Sequence, residues 1–172
     1  MVEIEGLFGE LVNAGPLGFF FLSIITNATV FLPVPVLEIS LIAAGSTNFF
    51  GLGIFSPLLL GIAAGCGAGI GELSGYFFGA GGRKVLKRFS KEQSEKIVGF
   101  GEKLQKHGLI ALIIFAFLPL PFDLAGVAAG LMHYPKKLFV LGCILGKSPR
   151  YALIAYAGYF GVPWVLHFFG MG

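Results

Sequence analysis

The sequence predicts an all-α, polytopic membrane protein of two repeats. Each repeat would carry a proline-broken re-entrant hairpin and a long transmembrane helix, with a basic amphipathic cytoplasmic helix joining the two. Three observations predict this. First, the chain has a mean hydropathy of +0.86 and only 12% charged residues. A soluble domain carries about a quarter charged residues, so this much apolar surface needs a bilayer as its solvent. Second, "FLPVPVLEISLIAAG" (Phe31 to Gly45) recurs in outline as "FLPLPFDLAGVAAG" (Phe117 to Gly130). Third, eight of the twelve Lys and Arg residues lie between Arg83 and Lys106.

Each element follows in order. The opening "MVEIEGLFGELVNAG" lacks the basic flank and small-residue cleavage site of a leader, so no cleaved leader is expected. Pro16 to Leu32 is an apolar run slightly short of the roughly 20 residues a span needs. Pro33 and Pro35 then interrupt the chain, and Gly45 closes a piece too short to cross a core about 30 Å thick. Such a piece suits a re-entrant half-helix, whose broken backbone must be satisfied by protein or water. Phe49 to Ala80 is a longer segment in which Gly61, Gly65 and Gly69, and again Gly67, Gly71 and Gly75, recur every fourth residue. That spacing lets helix backbones approach closely.

The basic stretch then places residues 83–106 on the cytoplasmic side by the positive-inside rule. Its Val85, Leu86, Phe89, Ile97, Val98, Phe100 and Leu104 supply the apolar face of a helix lying on the membrane. Gly108 to Leu118 enters the membrane again and stops at Pro119 and Pro121, followed by the short "FDLAGVAAG". Lys136 and Lys137 mark a membrane surface. Leu138 to Phe160 forms a long segment with Lys147, Pro149 and Arg150 in its middle, and Trp164 and His167 end the chain at an interface.

The repetition extends further. "GELSGY" (Gly71 to Tyr76) and "GKSPRY" (Gly146 to Tyr151) share a glycine, a charged residue and a tyrosine at the same spacing. The whole chain, 1–172, thus reads as one membrane domain: repeat one about 16–80, connector about 83–107, repeat two about 108–161. Inverted repeats would point the two half-helices at each other near the midplane; parallel repeats are the alternative. Interrupted segments at matching positions of two halves point to a transporter's binding site.

Glu38 and Asp123 each follow a proline pair into the first turn of a short helix. A carboxylate there can cap the free N–H groups. Yet an acid in a membrane segment costs about 2.5–3.5 kcal/mol, and Ser, Thr or Asn would cap without that penalty. The two acids are therefore candidates for transport or proton coupling, with Glu72 as the third. Glu72 and Lys147 occupy matched places with opposite charge, which reads as a buried ion pair between the halves, or as Glu72 paired to Arg150. Alternatively Lys147 and Arg150, three apart on one helix, hold a phosphate between them. Asn27 and Thr29 either line the same cavity or bond backbone carbonyls.

Tyr76 and Tyr151 read as packing aromatics, with stacking or bonding across the repeat axis as the alternative. His107 and His133 read as interfacial, and Cys66 and Cys143 as packing residues. No nucleophile–base set, nucleotide loop or metal-ligand spacing is legible, so neither an enzyme nor a cofactor is expected, nor a nucleic-acid partner.

"PVPVLEISLIAAG", "GAGIGELSGYFFGAGGR", "PLPFDLAGVAAG" and "CILGKSPRY" together resemble the DedA superfamily, also called the SNARE-associated Golgi protein or VTT-domain family. The resemblance runs from about Gly15 to Gly161, and "PLPFDLAG" is most similar to its vacuole membrane protein-like branch. It implies two re-entrant hairpins facing each other, and lipid scrambling or lipid-carrier transport. It also implies that Glu38, Glu72 and Asp123 fall on the family's acidic positions. Many bacterial members have two arginines in the second hairpin; here Ala116 and Phe122 stand there, which favours a less headgroup-selective scramblase over polyprenyl-phosphate transport.

The expected activity is movement of phospholipids or a lipid phosphate between leaflets of the cell membrane. Glu38, Glu72 and Asp123 would carry the coupling, Lys147 and Arg150 would contact the headgroup, and Pro33, Pro35, Pro119 and Pro121 would break the hairpins. Protons are an admitted coupling partner, and a second copy of the chain an admitted neighbour. A proton- or ion-coupled carrier of a small solute, and a structural assembly factor, are the alternatives.

Overall fold

The structure, a computed structural model, describes residues 10–28, 36–47, 49–81, 90–118 and 122–168, with side chains to residue 161. The four hairpin prolines, Thr29 and the basic residues from Arg83 to Arg88 lie outside the described residues, as do the side chains of Trp164 and His167. The described regular structure is entirely helical: α1 (Gly15–Ala28), α2 (Val36–Gly45), α3 (Ser56–Gly71), α4 (Leu73–Ala80), α5 (Lys91–Phe117), α6 (Asp123–Leu131) and α7 (Lys136–Phe168). Two 3-10 turns, Phe49–Gly51 and Gly53–Phe55, lead into α3.

Local chemistry sets the boundaries. Pro57 sits in the first turn of α3, where its missing N–H costs no helical hydrogen bond. Ser90 and Gln93 form a reciprocal capping box at the start of α5: the Gln93 N–H donates to the Ser90 hydroxyl at 3.2 Å, and the Ser90 N–H donates to Gln93 Oε1 at 3.1 Å. α5 breaks at Gly108, whose φ of 57° and ψ of −132° suit only glycine, so an amphipathic arm and an apolar arm meet at an elbow. α7 runs through Pro149, which leaves the Leu145 carbonyl without its usual helical donor two residues before Lys147.

Two helical segments, Gly53–Ala80 and Lys136–Gly161, are long and apolar enough to cross a membrane. The first comprises the 3-10 turn Gly53–Phe55, α3 and α4, with Glu72 between the two α-helices. Their outward side chains remain greasy: Phe77, Leu153 and Phe160 are among many large apolar groups left exposed, as lipid-facing residues would be.

The helices build two cores that share α7. Phe19, Leu22, Leu37, Leu41 and Leu60 pack with Tyr151 and Ala155 of its second half. Tyr76, Phe100, Leu112, Phe122 and Val127 pack with Phe139 and Cys143 of its first half. The two short helices exchange partners: α2 lies on α7, and α6 lies on α4.

Both crossings are glycine-on-backbone contacts. A Cβ on Gly45 would fall 2.0 Å from the Ala155 carbonyl oxygen, and one on Gly158 would fall 1.9 Å from that of Ile42. The other crossing matches. A Cβ on Gly130 would fall 1.9 Å from the Tyr76 oxygen, and one on Gly79 would fall 2.0 Å from that of Val127. The four-residue glycine ladders divide by partner. Gly61, Gly65 and Gly69 face α7, Gly67 and Gly71 face α1, and Gly75 faces α6.

Candidate functional site

Where the two cores meet, the fold gathers several charged side chains. Glu72 marks the break between α3 and α4, and Lys147 comes from mid-α7. Both are nearly inaccessible, at 2% and 3% exposure. Lys147 Nζ donates to Glu72 Oε1 and, at 2.6 Å, to Asn27 Oδ1. The same ammonium stands 5.0 Å from the centroid of the Phe122 ring. Asn27 is held by its own helix: its Nδ2 donates to the Ser23 carbonyl at 2.8 Å, which turns Oδ1 toward Lys147. Tyr151 donates its hydroxyl to that oxygen at 3.4 Å.

This arrangement is a fully engaged buried ion pair. Removing either partner would strand the other charge, a loss of about 3–5 kcal/mol. Of the two pairings the sequence left open for Glu72, the structure makes the one with Lys147. Lys147 is thus occupied on both sides, and Arg150, three residues on, points elsewhere.

Arg150 meets Glu38 at the start of α2, with Nη2 3.4 Å from Oε1 and both side chains partly exposed, at 21% and 31%. Its guanidinium stands 5.8 Å from the centroid of the Tyr151 ring. Asp123 begins α6 in the matching place. It is half-buried, and its backbone carbonyl lies 3.6 Å from where a Cβ of Gly75 would be. Among the described residues Asp123 has no ion-pair partner, and no side chain caps the start of α6. Glu72 and Lys147 nevertheless lie within electrostatic range of it.

The fold therefore brings Glu38, Glu72, Asp123, Lys147 and Arg150 into one cluster of three acids and two bases. Asp123 carries the unmatched charge. The remaining candidates disperse. Tyr76 donates to the Tyr134 carbonyl at 2.6 Å in one core while Tyr151 sits in the other, so the two rings do not meet across the repeat. His107 is exposed at the elbow, and His133 occupies a tight turn with φ of 51°. Cys66 and Cys143 are free thiols.

Sequence reasoning gave Phe122 no role of its own. The signal was an aromatic immediately before the helix-starting acid, and a ring there stands against Lys147 of α7. Asn27 does bond a backbone carbonyl, that of Ser23, and it also accepts from Lys147.

A family model described as the VTT domain matches residues 32–160 of the chain. No curated protein and no solved structure matches it.

Proposed function

The chain belongs to the VTT-domain family, the DedA or SNARE-associated Golgi protein superfamily, which is broadly linked to lipid handling at membranes, and on that premise we propose that it carries phospholipids between leaflets. The observation that carries this reading is the partner exchange of α2 and α6. Each short helix starts with an acid and lies on the other half's long helix, so five charges gather between two apolar cores. Charges in a membrane are expensive and mark pathways for polar cargo.

In this reading the two proline-broken segments are re-entrant, the halves are inverted repeats, and residues 83–106 face the cytoplasm. "PLPFDLAG" aligns the chain with the vacuole membrane protein-like branch. The headgroup travels past Arg150 and the two hairpin acids while its tails stay in lipid. The buried Glu72–Lys147 pair holds the halves in register. The protein works as a transporter, with no enzymatic step and no cofactor assigned to it. A proton-coupled carrier of a small solute is the second reading, favoured by Asp123, which has no ion-pair partner among the described residues and whose charge a proton can neutralise.

The test is scrambling of a fluorescent phospholipid in liposomes holding the purified protein, read by a quencher added outside. Loss of signal well past the outer-leaflet half, stopped by Glu38→Gln with Asp123→Asn, supports the lipid pathway. A halt at the outer leaflet, with a pH gradient still driving solute or proton uptake, supports the second reading. Unaltered scrambling in a folded double variant overturns the role given to the acids.

A further inference from the structure

At the Gly108 elbow, on the flank of α5, lies a groove of about 530 Å³ that the charge cluster does not include. Its rim is Lys103, Lys106 and His107 on the amphipathic arm; its floor is Ile110, Ile114 and Phe115 on the apolar arm. Ile110 and Ile114 are 66% and 53% exposed, so the floor is an open apolar track rather than a packed core. The elbow sets the two arms at an angle and brings a cationic edge against an apolar wall.

The charge here is uncommitted. Lys96, one turn beyond Gly99, is tied to Glu92 at 2.6 Å, whereas neither Lys103 nor Lys106 has a carboxylate within ion-pair distance among the described residues. Among the described residues, no acid lines the groove. Lys103 Nζ lies 5.7 Å from the centroid of the Phe115 ring, so its ammonium already stands at the boundary between the cationic rim and the apolar floor. It also borders a neighbouring groove of about 300 Å³ that contains Lys96, Phe100 and Leu124.

We propose that this elbow groove is a binding site for an anionic phospholipid. Its phosphate would sit between Lys103 and Lys106, and an acyl chain would lie along Ile110, Ile114 and Phe115. Two unpaired ammonium groups complement the headgroup charge, and the exposed apolar floor complements the chain. A soluble phosphate would leave that floor bare, and a neutral headgroup would leave the cations unanswered. The site is separate from the α2–α7 and α6–α4 crossings and does not rest on the transport reading.

The test uses the full chain reconstituted in phosphatidylcholine vesicles with a trace of diazirine-bearing phosphatidylglycerol, and in parallel the same diazirine on phosphatidylcholine. After illumination, labelled peptides are mapped by mass spectrometry. A lysine near an anionic lipid contributes about fivefold in association, so the phosphatidylglycerol probe should label residues 110–115 at least about fivefold more than the phosphatidylcholine probe. K103Q with K106Q should bring the two probes to parity. K136Q with K137Q, which removes the same charge from a different apolar groove, should leave the preference unchanged. Equal labelling by both probes in the wild type overturns the proposal, as does a preference that survives K103Q/K106Q. So does a preference lost equally in K136Q/K137Q, which would mean general surface charge. Removal of the preference by excess glycerol phosphate would assign the groove to a soluble anion instead.

Discussion

Glu38 and Asp123 each stand in the first turn of a short helix, and each of those helices crosses an apolar span on glycine. Their electrostatic settings differ. Glu38 faces Arg150, while Asp123 lies against Gly75, the residue that aligns with Arg150 when "GELSGY" is set on "GKSPRY". The glycine contact is present at both crossings; among the described residues, the countercharge is present at one. Steric requirements at a helix crossing must be met twice for the fold to close.

The largest effect that bears on this comparison lies between the halves. Lys147→Gln leaves Glu72 buried without its cation and should cost about 3–5 kcal/mol, read as a lowered unfolding midpoint in detergent. Glu72→Gln with Lys147→Gln removes both charges and should recover much of that loss. If the double variant is no better than the single, the pair does not act as a unit and the halves are held by the glycine crossings alone.

Those crossings give the next effect. Gly45→Ala and Gly130→Ala each push a methyl into a backbone carbonyl at 2.0 and 1.9 Å, and overpacking of this kind costs about 1–3 kcal/mol. The two variants should lose equal stability within error, measured by the same unfolding assay. A large inequality would mean that the crossings resemble each other in contact but not in strain.

The membrane class, the family, the four-residue glycine spacing and the pairing of Glu72 with a base were legible because each leaves a mark on local sequence: hydropathy, motif, period, matched charge. Which face of a ladder meets which helix was not legible. Gly65 and Gly67 sit two residues apart on one helix, yet one meets Ser148 and the other Phe20, a division fixed by where α1 and α7 pack. The partner exchange of α2 and α6 was likewise hidden, since nothing in "AAG" names the distant carbonyl that it will touch. Lys147 looked available to a phosphate because a lysine's partners, Asn27 and Glu72, are 120 and 75 residues away in sequence. Only the packing shows that it is already engaged.

A smaller stability effect separates the exposed pair from the buried one. Arg150→Gln should cost no more than about 1 kcal/mol, since Arg150 and Glu38 are partly solvated and 3.4 Å apart. Lipid scrambling should nevertheless fall strongly, because the variant makes the first half electrostatically like the second, with an acid and no base. Arg150→Lys keeps the charge and should retain part of the activity. If Arg150→Gln destabilises as much as Lys147→Gln, the Glu38 pair is structural and the distinction between the two pairs collapses.

Gly75 supplies the smallest effect and the sharpest reading of why the countercharge is missing. A Cβ there would meet its nearest neighbour, the Asp123 carbonyl oxygen, at 3.6 Å, an ordinary contact, unlike the 2.0 Å that Gly79 would face one turn later. Gly75→Ala should therefore fit, and by helix propensity it should raise stability by up to about 1 kcal/mol, while Gly79→Ala should lower it. Scrambling should be unchanged in Gly75→Ala, because what the second half lacks relative to Arg150 is charge, not space. Should Gly75→Ala stop scrambling in a protein of undiminished stability, the glycine itself is needed beside Asp123. The asymmetry between the halves would then be one of backbone approach rather than of electrostatics.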